Sequence, residues 1–550
     1  MKKSLILLIL LLLIFALVAP GIVILILSVM LFTPEEQSST ERFISPNNLS
    51  EVRVAVQYRY VTDGVVINRS VDDVIKIFKE LKADFVFQGW ITQKPCPDKC
   101  SDLPQEEAER FKLFGYSYEH LRMAVSKIKS EMPNVIFCGG VQAEFLFPEE
   151  TGKSHLILEP EDRDKAWKMA LDPKKWGINV NKKDFQCFWA KRWGYVDSDE
   201  TCPDEEELKQ RMKKYFPDLT NPNFQKIFLK RIYKQIDAGV DAIWIDMLYM
   251  QAHLMEMLTK DPNHPAVKES YEAAWKIVEK IHEYGRKKGK YIYVITWVAV
   301  KQGDSIVDVP KEYVNVDAAM VSPSPDEIKD KLTGEIGNFN EELWDKLVNR
   351  IREKYGIPIF ARIDYGGPGR TPLYVFSQEL SKEEAREFLR RADKFFSEKG
   401  IIFIYPVHGG DMGRKDLVKK LSYGKFNWYD SLAPEFQTFE TIKELAQNKR
   451  AKKSDLSKVK VAILYERITD GIYYPSKLRA YEDLVKILNE TNPDLVFRVW
   501  WRWTPIEETL PSTNPVYQAG YTYQQLEETL TKLKKDFQAP FSLEQFQPKE

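Results

Sequence analysis

The sequence has 550 residues, of which 44% are hydrophobic, enough to form the core of one large domain or of several ordinary ones. Its 80 lysines and arginines nearly balance its 81 aspartates and glutamates, which argues against nucleic acid as a partner. The 13 tryptophans and 26 tyrosines predict either a large core or a surface on which sugar rings stack.

An uncharged apolar segment opens the chain at residues 4–32. It is longer than the roughly 7–15 residues of a cleavable signal and the about 20 residues that span a bilayer. Lys2 and Lys3 precede it and acidic residues follow it, so the positive-inside rule places the N-terminus in the cytoplasm. We predict a single-pass anchor in the lipid bilayer of the cell membrane over 1–32, a polar linker over 33–50 and an extracytoplasmic body. An unusually long signal peptide is the alternative.

Five cysteines fit this outside location, where disulfides form. We predict bridges Cys96–Cys100 and Cys187–Cys202, with Cys138 as a buried thiol. The sequence has no Cys-x2-Cys pair and its histidines are scattered, so no metal or other cofactor is expected. Three asparagines stand in Asn-x-Ser/Thr sequons, which are glycosylated in hosts with that machinery: Asn48, Asn68 and Asn489.

Eight β-rich apolar segments alternate with amphipathic segments between residues 51 and 450. The predicted strands are 52–58, 84–90, 135–141, 241–246, 291–297, 316–322, 358–364 and 401–407. The predicted helices include 71–81, 118–132, 224–238, 266–288, 341–355, 382–399 and 434–448. This order predicts an α/β fold, a (β/α)8 TIM barrel. An open doubly wound sheet competes, but it usually has a Gly-rich loop after the first strand, and residues 57–60 (QYRY) form none.

A long connection follows the third predicted strand, over about 142–223. It carries four tryptophans and one of the predicted disulfides. Long connections in compact domains are usually functional or disordered, and the aromatic content argues against disorder. We predict that this insertion forms a wall of the binding cleft; a subdomain that only covers the barrel rim is the alternative.

The end of the chain repeats its beginning. Residues 52–58 (VRVAVQY) are echoed by 459–465 (VKVAILY), 83–87 (ADFVF) by 493–497 (PDLVF), and 115–118 (GYSY) by 520–523 (GYTY). Residues 459–550 are therefore predicted to repeat about 52–132, as a partial second barrel. Two βα units cannot close, so we expect a truncated or split gene, or self-association through this tail.

Barrel enzymes build their active site at the C-terminal ends of the strands. Glycoside hydrolysis needs two carboxyl groups there, one that protonates the leaving oxygen and one that attacks carbon or activates water. We predict Asp246 and Asp364 as this pair, with Glu144 as the substitute acid; a helix N-cap or a loop acid is the alternative for each aspartate. The residues predicted to bind substrate at the same ends are Trp90, Gln142, Trp297, Arg362, Tyr405 and His408. Barrel-plugging tryptophans and a structural loop histidine are the alternatives among these.

Residues 221–246 carry a resemblance to a known family. Asn221 and Pro222 precede a predicted helix, which leads into DAGVDAIWID at 237–246. This block is similar to the strand-four region of barrel glycoside hydrolases, including the α-amylase-like and related uncharacterised families. The resemblance implies a carbohydrate substrate and gives Asp246 the role of nucleophile or substrate-binding acid. The amylase-like pattern also has a Glu at the end of strand five, where this sequence has Trp297.

Together these observations predict a membrane-anchored, extracytoplasmic glycoside hydrolase-like enzyme. The alternative is a catalytically silent barrel that binds glycans or organises the cell surface. A metal-dependent hydrolase is disfavoured because the sequence lacks clustered His and Asp ligands.

Overall fold

The computed structural model describes residues 49–62, 69–91, 117–152, 158, 160–302, 305–308, 314–365, 369–413, 417–452, 497–500 and 541–544. The chain divides into two compact units, Met1–Leu445 and Ala446–Glu550. Several predictions fall outside the described residues: the anchor over 4–32, the linker, Cys96, Cys100, Asn48, Asn68, Asn489 and most of the predicted repeat.

The described residues of the first unit form eleven strands. They are β1 (Ala55–Tyr58), β2 (Phe85–Phe87), β3 (Ile136–Gln142), β4 (Ala242–Asp246), β5 (Tyr293–Thr296), β6 (Ala299–Gln302), β7 (Ser305–Asp308), β8 (Ala318–Val321), β9 (Ile359–Ala361), β10 (Ile402–Asp411) and β11 (Trp428–Asp430). Eight of them run parallel in the order β1-β2-β3-β4-β5-β8-β9-β10, and β1 pairs with β10 to close the ring. The predicted (β/α)8 barrel is confirmed.

Apolar side chains fill the inside of the barrel, because alternate residues of each strand point inward. Phe85 packs on Phe360 across the interior with ring centroids 5.0 Å apart, and Phe87 lies 5.2 Å from Trp244. All four are completely buried. The interior is therefore a packed core, and polar side chains gather only where the strands end.

Helices surround the barrel and extend it at its mouth. They are α1 (Val71–Leu81), α2 (Tyr118–Glu131), α3 (Pro160–Met169), α4 (Lys182–Arg192), α5 (Glu205–Arg211), α6 (Pro222–Asp237), α7 (Met250–Thr259), α8 (Pro265–Lys287), α9 (Pro325–Ile328), α10 (Glu341–Tyr355), α11 (Pro372–Tyr374), α12 (Lys382–Glu398) and α13 (Phe439–Lys452). The ends of α1 and α10 coincide with the predicted ones. Capping boxes begin α1 and α12, through Ser70 with Asp73 and Ser381 with Glu384.

The last helix of the barrel differs from its prediction. Helix α13 begins at Phe439, whereas the sequence predicted a helix from residue 434. The preceding residues form turns instead: the backbone N–H groups of Phe436 and Gln437 both donate to the carbonyl of Ala433, and that of Thr438 donates to Ser431. These turns lead the chain from β11 into the helix.

The insertion between β3 and α6 is an ordered subdomain. It contains α3, α4 and α5, and isolated bridges such as Leu146 with Tyr215 tie its ends together. The predicted disulfide Cys187–Cys202 is present, with Cα atoms 6.0 Å apart. Cys138 is a free, buried thiol on β3, as predicted, and burial raises its pKa.

Two short strands of the second unit are described, β12 (Phe497–Trp500) and β13 (Phe541–Glu544), which pair in parallel. They do not by themselves show the predicted repeat. Within the described part of the chain, no helix has both the length and the apolar character of a transmembrane span.

Candidate active site

Asp246 ends β4 at the mouth of the barrel, directly beside Gln142 at the end of β3. Its Oδ1 accepts a hydrogen bond of 3.1 Å from the indole Nε1 of Trp297, which follows β5. Burial raises the pKa of Asp246 to about 6, and the nearby Asp364 carboxylate acts in the same direction; the Arg362 guanidinium and the hydrogen bonds from Trp297 and Gln142 oppose the rise. Asp246 is thus ionised at neutral pH but is a stronger base than a free aspartate.

Asp364 lies just beyond β9 and forms an ion pair with Arg362, two residues earlier on the same face. The backbone N–H of Tyr365 also donates to Oδ1 of Asp364, at 2.8 Å. Arg362 is 2% exposed, and its guanidinium carbon lies 4.5 Å from the ring centroid of Trp244 and 5.7 Å from that of Trp297. Arg362 is therefore paired with Asp364, and the same guanidinium acts on Asp246.

Glu144 follows β3 and is 6% exposed. Burial raises its pKa to about 8, assisted by the carboxylate of Asp246 and more weakly by that of Asp364. The cations Lys214 and Arg192 oppose this rise. Glu144 therefore holds a proton at neutral pH.

Lys214 reaches this group from the far end of the insertion. Its ammonium nitrogen lies 3.2 Å from the ring centroid of Phe145 and 3.7 Å from that of Trp193, and the residue is buried. Burial lowers the pKa of Lys214, while Glu144 and Asp246 act to raise it. The insertion thus contributes a cation and an aromatic wall to the carboxylates.

The structure brings together the three acids that the sequence predicted, with Gln142, Arg362 and Trp297. Electrostatic interaction joins Glu144 to both Asp246 and Asp364. Two carboxyl groups with separated pKa values in one site can act as a proton donor and an ionised partner. A pair of carboxyl groups with different protonation states is also what glycoside hydrolysis uses.

The other predicted binding residues lie apart from this group. Tyr405 points away from the barrel interior, because residues alternate along β10, and its hydroxyl donates to Asp393 of α12 at 2.6 Å. The prediction that Tyr405 contacts the substrate is therefore corrected, because its hydroxyl faces the outer helix. Trp90 is completely buried between Tyr60 and Tyr118, so it fills the mouth and offers no open ring face.

His408 belongs to a separate buried network. Its Nδ1 lies 2.7 Å from Oδ2 of Asp430 on β11, and Arg69 donates to the same carboxylate at 2.9 Å. Although burial opposes it, hydrogen bonds from His408 and Arg69 lower the pKa of Asp430. The ring packs against Tyr58 with centroids 4.8 Å apart, and Nε2 has no hydrogen-bond partner. The carboxylate that orients this histidine was not predicted.

Sequence reasoning also missed Lys214, Tyr365 and Arg59. Tyr365 donates its hydroxyl to Gln88 at 2.5 Å, and its ring lies against the guanidinium groups of Arg362 and Arg59. Arg59 and Tyr365 each directly follow a predicted strand, 52–58 and 358–364, so the rule that strand ends meet at one mouth could have found them. For Lys214 no local signal exists, because only the folded insertion brings it to the barrel.

Comparison with known proteins supports the expected resemblance. Residues 159–372 match the model of the glycosyl hydrolases family 31 TIM-barrel domain, a range that contains β4 and Asp246. The predicted resemblance to barrel glycoside hydrolases is thus confirmed. No curated protein matches the chain.

Solved structures with a similar arrangement include glycoside hydrolases. The glycoside hydrolase domain of PelA from Pseudomonas aeruginosa is 12% identical, with a TM-score of 0.27 over 60% of this chain and 90% of that chain. Trehalose-6-phosphate hydrolase from Bacillus licheniformis is 9% identical, with a TM-score of 0.38 over 74% of this chain and 84% of that chain. Endo-glycoceramidase II from Rhodococcus sp. is 11% identical, with a TM-score of 0.36 over 72% and 80%.

Proposed function

We propose that the chain is a glycoside hydrolase in which Glu144 is the general acid and Asp246 is the ionised partner. Glu144 gives its proton to the glycosidic oxygen as the bond to the anomeric carbon breaks. The Asp246 carboxylate then either attacks that carbon or takes a proton from the water that attacks it. The observation that carries this proposal is the pair of carboxyl groups at neighbouring strand ends, with Glu144 buried and Asp246 half-buried, of which Glu144 has the higher pKa.

Asp364 has a different role in this proposal from the one the sequence suggested. Its carboxylate forms an ion pair with Arg362, and in this proposal it is not the proton donor. It balances the charge of Arg362, which in turn favours the ionised form of Asp246. Trp297, which stands where the amylase-like pattern has a glutamate, holds Asp246 in place by its indole hydrogen bond.

We further propose that the barrel works outside the cell, tethered by residues 4–32, on envelope or environmental polysaccharide. The disulfide Cys187–Cys202 supports this location, because such bridges persist in oxidising compartments. The tail over 459–550 would pair with another copy of the chain. Size-exclusion chromatography of the full chain and of a form lacking this tail tests the pairing, since an equal, monomeric size for both would contradict it.

The test of the activity is release of reducing sugar by the full-length protein in detergent from a broad panel of glycans. Asp246→Asn is the matched control, because it removes the negative charge and conserves the shape of the side chain. Turnover by the unchanged protein that the variant lacks supports the proposal. Absence of turnover on every glycan would leave the silent glycan-binding barrel, which the replacement of the amylase-like glutamate by Trp297 favours.

A further inference from the structure

A buried arginine at the mouth of the barrel forms no ion pair with any carboxylate of the described residues. Arg59 follows β1 at the mouth of the barrel and is 5% exposed. Its Nη2 donates to the hydroxyl of Tyr60 at 3.5 Å, and its Nε has no hydrogen-bond partner. Among the residues that the structure describes, no carboxylate forms an ion pair with it. Within the described part of the chain, its charge therefore has no counter-charge in contact, and Asp411 acts on it only from a greater distance.

Three aromatic rings surround this guanidinium. Its carbon lies 5.0 Å from the ring centroid of Tyr60, 5.4 Å from that of Trp428 and 5.5 Å from that of Tyr365. Cation–π attraction offsets part of the cost of burying the charge. It does not satisfy the N–H donors that lie in the plane of the group, and a buried charge is normally paired. An anionic group that binds here would meet both needs.

The surroundings of Arg59 connect it directly to the proposed catalytic group. The ring of Tyr365 lies against Arg59 on one side and against Arg362, at 5.0 Å, on the other. Arg362 is also buried, and its Nε and Nη1 have no hydrogen-bond partner. N–H donors without a hydrogen-bond partner therefore lie both at Arg362, on the Asp246 side of the mouth, and at Arg59, beside β1.

The backbone of β10 packs closely against Arg59 and fixes the position of its side chain. Gly409 of β10 has φ +87°, and a Cβ on it would come within 2.3 Å of the Cβ of Arg59. Trp428, which packs on Tyr60 with centroids 5.7 Å apart, is only partly buried and offers an aromatic surface beside the arginine. A sugar ring against Trp428 would place a substituent near the guanidinium.

We propose that Arg59 forms a subsite for an acidic sugar, so that the substrate is a glycan with uronic acid units. The carboxylate of one unit would accept hydrogen bonds from Arg59, while a neighbouring unit lies at Glu144 and Asp246. This inference rests on the proposed hydrolase function and adds the chemical class of the substrate. Charge-assisted hydrogen bonds from a planar guanidinium give this recognition both strength and geometry.

The test compares ligands that differ only in charge. The probes are trisaccharides of glucuronic, galacturonic and mannuronic acid, and the same trisaccharides with each carboxyl group reduced to a primary alcohol. Binding is measured calorimetrically on the full-length protein carrying Asp246→Asn, so that no ligand is cleaved. At least one acidic trisaccharide should bind about tenfold or more tightly than its reduced form. Equal affinity for all acidic and reduced pairs, or no binding of any, would overturn the subsite.

Variants of Arg59 then test whether this residue causes the preference for acidic over reduced trisaccharides. Adding Arg59→Met should abolish the preference and leave the affinity for the reduced trisaccharide unchanged. Arg386→Met on α12 removes the same charge from the surface and should preserve the preference. If Arg59→Met does not fold, Arg59→Lys, which keeps the charge but loses the planar fork, should still weaken acidic binding severalfold. An undiminished preference in the folded variants contradicts the assignment.

The outcome is separable from that of the hydrolase proposal. Selective binding of an acidic glycan without any turnover by the unchanged protein would reject the hydrolase and retain the subsite. Cleavage of neutral glycans without a preference for acidic ones would retain the hydrolase and reject the subsite.

Discussion

The indole Nε1 of Trp297 donates a hydrogen bond of 3.1 Å to Oδ1 of Asp246, across the ends of two neighbouring strands. One carboxylate oxygen is thereby held by the protein, and the other remains for substrate or for Gln142. Trp297 itself is 7% exposed and packs edge-on against Trp244, with ring centroids 5.9 Å apart. A rigid aromatic side chain therefore fixes the position of the proposed ionised acid.

Replacing Asp246 with Asn should lower kcat by at least about a thousandfold and leave glycan affinity within a few-fold. The reason is that the amide conserves the contact to Trp297 but provides neither a nucleophile nor a base. Initial rates and calorimetric binding on the same preparation measure the two effects. Asp237→Asn, at the exposed end of α6, is the control that should keep full activity. Turnover retained by Asp246→Asn would remove Asp246 from the mechanism.

The rate should depend on pH as a bell-shaped curve. Asp246 must lose its proton, so kcat/KM rises as the pH passes about 6, and Glu144 must keep its proton, so kcat/KM falls above about 8. The two limbs belong to the interacting pair and not to single residues. Measurement from pH 4 to pH 10 in one mixed buffer checks both limbs. A rate that stays constant up to pH 10 would contradict the assignment of Glu144 as the acid.

Replacing Lys214 with Met should move the alkaline limb to higher pH by less than about one unit, because burial lowers the pKa of Lys214 itself to about 7 and only part of its charge remains at that limb. The ammonium favours the ionised form of Glu144, so its removal makes the proton harder to lose. The pH profile of kcat/KM measures the shift. Lys182→Met is the matched control, since Lys182 also belongs to the insertion and lies over a tryptophan ring, that of Trp167. An equal shift in both variants would show that the effect is not specific to Lys214.

Replacing Glu144 with Gln should stabilise the protein at high pH while it abolishes turnover. The folded-state pKa of Glu144 lies above its usual value of 4.5, so the folded chain binds the extra proton between about 4.5 and about 8. The stability of the unchanged protein therefore falls as the pH rises through this window, and the glutamine variant lacks this loss. At pH 9 the variant should be more stable by on the order of 1–3 kcal/mol, with little difference at pH 4.

Denaturant unfolding at the two pH values measures this difference. Glu353→Gln on the exposed side of α10 is the control, and it should be neutral at both. A glutamine variant at position 144 that is less stable than the parent at pH 9 would contradict the burial of a charged Glu144.

Loss of the disulfide should destabilise the insertion. The bridge closes a loop with a sequence separation of 15 residues, for which chain entropy predicts about 3 kcal/mol. The double replacement Cys187→Ala with Cys202→Ala should lower the melting temperature, and a reductant should lower that of the parent but not of the variant. Cys138→Ala, at the buried free thiol, is a control whose response to reductant should equal that of the parent. An unchanged melting temperature in the double variant would mean that the bridge adds no stability.

Much of the barrel could be predicted because parallel strands are buried on both faces. Each of the eight strands is a short apolar run between helical segments, and the structure has a strand that overlaps every predicted range. The hairpin of β6 and β7 and the strand β11 were not predicted, since they are short and lie partly at the surface. The boundary of α13 was missed because backbone turns, which leave no apolar period, precede it.

The acidic residues of the site could also be predicted, but the shifts of their pKa values could not. Asp246, Asp364 and Glu144 follow from one rule, that the ends of parallel strands meet at one mouth. Tyr405 was assigned to the wrong face because it stands one residue from an inward position. Lys214 comes from about seventy residues beyond Glu144 along the chain, and its lowered pKa depends on rings that only the folded insertion provides.

The disulfide has a consequence that reaches beyond mechanical strength. The loop between Cys187 and Cys202 contains Trp193, and this ring lies 3.7 Å from the ammonium nitrogen of Lys214. The bridge therefore restrains the segment that carries one of the two rings beside the cation that acts on Glu144. A chain whose thiols are still reduced would hold Lys214 less firmly, so we expect the pKa of Glu144 to depend on the oxidation of these two cysteines.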